Sequence, residues 1–99
     1  MTQSRRKRIY SVDARLFLYD EGYGALLNEL KVILDEEVAD FNIMGEGMQD
    51  SGRGVESRNA QACLQKAIKA LTEVVDRRKL SNGKLQELMD EIHGSLRSV

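Results

Sequence analysis

The chain has 99 residues, 41% of them hydrophobic, with no proline, no tryptophan, one cysteine and a net charge of −1; this bounds it to one small domain with a modest core, for which self-association would add stability. The lone thiol, Cys63, excludes an intrachain disulfide and suits a reducing cytosol, so a cytoplasmic protein is expected. No apolar run approaches the about 20 residues that cross a bilayer, and the basic start leads into Ile9, Tyr10, Ser11, Val12 and Asp13 rather than a long apolar core, so neither a membrane-spanning nor a secreted protein is expected.

Residues 1–8 carry Arg5, Arg6, Lys7 and Arg8 and no apolar periodicity, which predicts a flexible basic arm ahead of a single helical domain over 9–99. Ile9, Tyr10 and Val12, then Leu16, Phe17, Leu18 and Tyr19, are compatible with a strand, yet Ser11, Asp13 and Asp20 equally bracket a short helix. A helical turn from about Val12 to Asp20 is the preferred reading. Gly22 and Gly24 flank Tyr23 and predict a bend or helix junction.

Leu26, Leu30, Ile33, Leu34, Val38 (or Glu37 at its edge), Phe41 and Met44 recur with the spacing of one helix face, while Asn28, Glu29, Asp35, Glu36 and Asp40 fill the other. Gly45 and Gly47 end that helix, and residues 46–54 read as a polar loop with Asp50 or Ser51 available as a cap. Over residues 55–78 the apolar stripe is Ala60, Cys63, Leu64, Ala67, Ile68, Leu71, Val74 and Val75. Two helices at about 25–44 and 55–79, joined by such a loop, predict an antiparallel hairpin. After a break at Leu80 to Gly83, capped by Ser81 or Asn82, the residues Leu85, Leu88, Met89, Ile92 and Leu96 predict a C-terminal helix at about 83–97. The fold class is all-α: a small helical bundle built on that hairpin, with a C-terminal helix and a short N-terminal element.

Charge is unevenly spread, which biases the surfaces that approach one another. Residues 9–50 hold ten acidic side chains against Arg15 and Lys31, whereas residues 51–99 hold nine basic against six acidic. His93 is the only histidine and Cys63 lies on another helix, with no ligand spacing around either, so no metal, cofactor or catalytic site is expected. Glu36 and Asp40 share a face at i, i+4; the acidic cluster reads first as a solvated helix side and second as a divalent-cation site. Phe17, Tyr19 and Tyr23 near Gly22 and Gly24 read either as core or as an exposed aromatic patch for a protein partner, and Glu36 and Asp40 join them as partner-binding candidates. The glycine-bearing loop 45–54 lacks the order of a phosphate-binding loop, although Arg53 and Arg58 near a helix start are anion candidates. Arg5, Arg6, Lys7 and Arg8 beside Tyr10 are the nucleic-acid candidates, clustered cations binding phosphate and an aromatic ring stacking on a base.

The segment ACLQKAIKAL at 62–71, preceded by Arg53, and LLNELK at 26–31 resemble the helical hairpin of phage-encoded anti-CBASS proteins that sequester cyclic nucleotides. The resemblance implies oligomeric hairpins binding nucleotide phosphates through Lys, Arg and Tyr side chains, with Lys31 as the matching lysine. It covers less than a quarter of the chain, leaves the last helix without a counterpart, and assigns no family.

The leading expectation is therefore a small, soluble, non-enzymatic protein-interaction module, an adaptor or inhibitor-like accessory factor of bacterial or phage type. It would bind itself or another protein through amphipathic helix faces. The alternatives are a nucleic-acid-binding accessory protein using the basic arm, and an oligomeric nucleotide- or anion-sequestering protein in which Lys31, Arg53 and Arg58 converge.

Overall fold

The computed structural model describes residues 1–18, 22–76 and 81–99, without the side chains of Phe17 and Leu18. Among the described residues every regular element is a helix: α1 (Gln3–Leu18), α2 (Tyr23–Asn42), the single turn α3 (Glu46–Gln49), α4 (Gly52–Val75) and α5 (Asn82–Arg97).

The long helices form a ring in which α1 packs on α2, α2 on α4, α4 on α5, and α5 back on α1. Cross-helix pairs fix the directions. Arg5 reaches Glu37 and Arg15 reaches Glu29, so α1 and α2 run antiparallel; Glu37 meets Ser57, so α2 and α4 do too. The expected antiparallel hairpin is present, inside an up-and-down four-helix bundle 46 Å long and about 20 Å by 17 Å across.

Each helix contributes the residues that its spacing dictates. Ile9, Val12 and Leu16 come from α1; Leu26, Leu27, Leu30 and Ile33 from α2; Ala60, Leu64, Ala67, Ala70, Leu71 and Val74 from α4; Leu88, Ile92 and Leu96 from α5. Burial of each large apolar side chain is worth roughly 1.5–3 kcal/mol, so this shared core is the main cohesive force. The alanines of α4 leave room for a helix that touches both α2 and α5. Cys63 and Ile68 sit at the margin of its stripe and Val75 lies outside it, 46% exposed.

The junctions follow from local chemistry. Gly22 adopts φ 96°, a left-handed conformation that glycine reaches without a Cβ penalty, and α2 begins at the next residue. Gly24 lies within the first turn of α2. Ser81 caps α5, its hydroxyl accepting from the Lys84 amide at 3.2 Å. Ser51 occupies the N-cap position of α4, but its hydroxyl donates to the Met48 carbonyl and makes no cap.

Two expectations change. The basic residues 5–8 are not a free arm: they belong to the first turns of α1, a helix that starts nine residues earlier than the turn expected at Val12. The loop expected over 46–54 is shorter, because α3 forms one turn and α4 starts at Gly52. Gly54 makes this possible. A Cβ there would fall inside the backbone of Gln49, so only glycine lets the α3 turn lie on the first turn of α4. The end expected for α4 near 79 falls in 77–80, outside the described residues.

Candidate functional site

At the end of the bundle where α1 and α4 begin and α2 ends, a carboxylate is sealed into the structure. Glu37 is 1% exposed. Its Oε2 accepts from the Arg5 guanidinium at 2.6 Å, and its Oε1 accepts from the Ser57 hydroxyl at 2.8 Å and lies 3.1 Å from the Met1 α-amino group. Burial alone would raise the pKa of this carboxyl, but the hydrogen bonds from Ser57, Arg5 and the α-amino group together outweigh it and hold the pKa below the ordinary carboxylate value. Glu37 therefore joins α1, α2 and α4 at one ionised group.

A seam of ion pairs continues outward. Arg5 also pairs with Asp40, and Arg6 with Glu56. Arg8 makes two parallel hydrogen bonds to Glu36, each 2.8 Å, and Arg15 bonds to Glu29 at 2.9 Å. The fork–fork geometry of Arg8 lowers the pKa of Glu36. Arg5, Arg6 and Arg8 are thus engaged by the chain's own carboxylates. Glu36 and Asp40, candidates for a partner, are likewise occupied by Arg8 and Arg5. Lys7 and Tyr10 stay exposed on the outer side of α1.

Beside the Glu37 cluster lies a cleft of about 470 Å³ with two unlike walls. Arg5, Glu37, Asp40 and Glu56 make the polar wall, while Met1, Ile43, Met44 and Met48 make the apolar one, with Arg53 also lining it. Ile43 is 83% exposed and Met48 43% exposed, so the apolar rim stands in water. Arg58 does not enter the cleft: it donates to the Gln49 carbonyl at 2.6 Å, lies 3.5 Å from Asp50, and stacks 5.7 Å from the centre of the Phe41 ring.

A second buried polar group ties α1 to α5. Asp13 and His93, 8% and 7% exposed, are bonded through Oδ1 and Nδ1, and the Arg97 Nε lies 3.3 Å from the other Asp13 oxygen. The adjoining cavity of about 410 Å³ has no serine, threonine or cysteine among its described lining residues. The Asp13–His93 pair thus braces α1 against α5.

No protein-family model, curated protein or solved structure matches the chain. Lys31 is six residues from Glu37 along α2, and Arg53 is four residues from Ser57 in the opposite sense along α4. At about 1.5 Å per residue, that separates them by roughly 15 Å along the bundle. The convergence of Lys31, Arg53 and Arg58 that the sequestering alternative requires is not formed within one chain.

Tyr23 is half-buried and packed against the core, so it is not part of an exposed aromatic patch. Tyr19 and the Phe17 side chain lie outside the described residues. Among the described residues no group of three or more His, Cys, Asp or Glu is gathered for a metal ion, and no helix is long and apolar enough to cross a membrane. Sequence reasoning passed over Ile43 and Met48. The available signal was phase: Ile43 falls off the face defined by Leu26, Leu30, Ile33 and Met44, and an apolar residue out of register on an amphipathic helix is left for another surface.

Proposed function

We propose that the chain is a non-enzymatic protein-interaction module, an adaptor or inhibitor-like accessory factor, acting through the cleft where α2, α3 and α4 meet. The observation that carries this reading is the apolar rim of Ile43 and Met48, exposed beside a cavity whose opposite wall is fixed by the Glu37 cluster. Apolar anchors held on a rigid scaffold are the usual centre of a docking surface, and methionines adapt their shape to a partner. The ion pairing of Arg5, Arg6 and Arg8 weighs against the phosphate-binding alternative, since phosphate would have to displace internal carboxylates.

Affinity capture of the tagged chain from its native host, run for the wild type beside Ile43→Asp, tests the proposal. The expected result is a stoichiometric protein partner, a second copy of the chain included, held by the wild type and lost with the variant. Nucleic acid as the only recovered species, or equal capture by both forms, would overturn it.

A further inference from the structure

The cleft carries on one patch both a projection and a cavity able to receive it. Ile43 stands on the rim with 83% of its surface in water, directly beside the opening that Met44 and Met48 line. A twofold interface requires this arrangement, because the same patch must supply both the inserting side chain and its receptor. The charges at the rim have the same self-complementary character. Glu46, at the start of α3 next to Gly45 of the cleft lining, and Arg53, in the first turn of α4 and itself lining the cleft, are exposed and of opposite sign, and neither is ion-paired among the described residues.

Resting on the interaction reading above, we propose that the occupant of the cleft is a second copy of this chain. In the twofold dimer Ile43 of each protomer enters the cleft of the other, and Glu46 of each faces Arg53 of the other. A net charge of −1 per chain opposes this pairing only weakly. The bundle is about 20 Å by 17 Å across, so its end offers less than the ~800 Å² per partner of a standard stable complex. The dimer is therefore weak and concentration-dependent, with Ile43 as its anchor and the two charge pairs setting its register.

Sedimentation equilibrium of the full chain, from low micromolar to near-millimolar concentration, reads the association directly. The wild type is expected to rise toward twice the monomer mass. Ile43→Asp is expected to remain monomeric with an unchanged far-ultraviolet spectrum and melting temperature, because that side chain contributes nothing to the core. Glu46→Arg and Arg53→Glu, taken singly, are each expected to weaken association about tenfold, and the double reversal to recover most of the loss. A wild type that stays monomeric throughout, a dimer indifferent to Ile43→Asp, or a double reversal no better than the singles would overturn the proposal. A monomeric wild type that still captures a different host protein through Ile43 would overturn self-association while leaving the interaction module standing. Loss of both would remove the two readings together.

Discussion

Glu37 shows how one ionised side chain can join three helices. Replacing it with glutamine would leave the guanidinium of Arg5, only 11% exposed, facing a neutral group in the place of a carboxylate. Arg5 keeps Asp40 as a partner, so Glu37→Gln weakens the cluster without stranding the guanidinium and is expected to cost about 1–3 kcal/mol in urea denaturation. The pH dependence follows from the same contacts. The folded pKa values of Glu37 and Glu36 lie below the unfolded value of about 4.3. Below that value the unfolded chain binds more protons than the folded one, so stability that is full above it is lost as the pH falls through the folded values. Thermal melts between neutral and strongly acidic pH should show this decline, and Glu37→Gln should flatten it. Gly54 makes the complementary point about space. Gly54→Ala must displace the α3 turn and is expected to lose about 1–3 kcal/mol, whereas Gly52, two residues earlier and with open space around it, should accept alanine with little change. Glu37 was legible only as a residue at the edge of the α2 stripe, because periodicity reports which positions face inward and not whether a charge there will find partners. Gly54 was legible as a loop glycine; the approach of Gln49 that requires it depends on the tertiary path of the chain.

Among the elements, α1 differs most from what its own residues suggest. Its described apolar inward positions are Ile9, Val12 and Leu16, and its first turns, residues 3–8, are charged or polar throughout. Four arginines fasten it to other helices, three to α2 and Arg6 to α4. A charged run without apolar rhythm reads as solvated chain when taken alone; here it is helical because the acidic side of α2, itself read as a solvated face, lies alongside. The two misread segments account for each other. Deleting residues 1–8 is accordingly expected to destabilise the fold by about 3–5 kcal/mol, because it strips Glu37 of its cation, with urea denaturation as the measurement. A truncated chain as stable as the full one would show that the seam contributes little. α2, α5 and the start of α4 were legible within a few residues, whereas the α3 turn was read as loop. The stripes of α2, α4 and α5 are long and regular, and Ser81 marks the start of α5 with a cap that forms.

At the scale of the whole molecule, the helices that are neighbours in sequence are neighbours in space, and only the contact between α1 and α5 closes the ring from afar. All-α class and the central hairpin could be read from hydrophobic period alone. The four-membered ring could not, since it depends on α1 being a full helix and on the Asp13–His93 pair, 80 residues apart, that secures it to α5. That closure brings the Arg6 Nε to 3.3 Å from the Val99 carbonyl, which sets the first turn of the molecule against its last. The chain is thus close to a loop already, and a short glycine-serine bridge from Val99 to Met1, with the backbone reopened at Gly45, should yield a circular permutant with the same helices, less stable than the parent because the bridge removes the α-amino charge beside Glu37. Because Gly45 borders the cleft and stands clear of the core, circular dichroism on such a permutant should report native helicity, while the binding through Ile43 proposed above should be lost. The scaffold and the surface it presents would then be separable by a single cut.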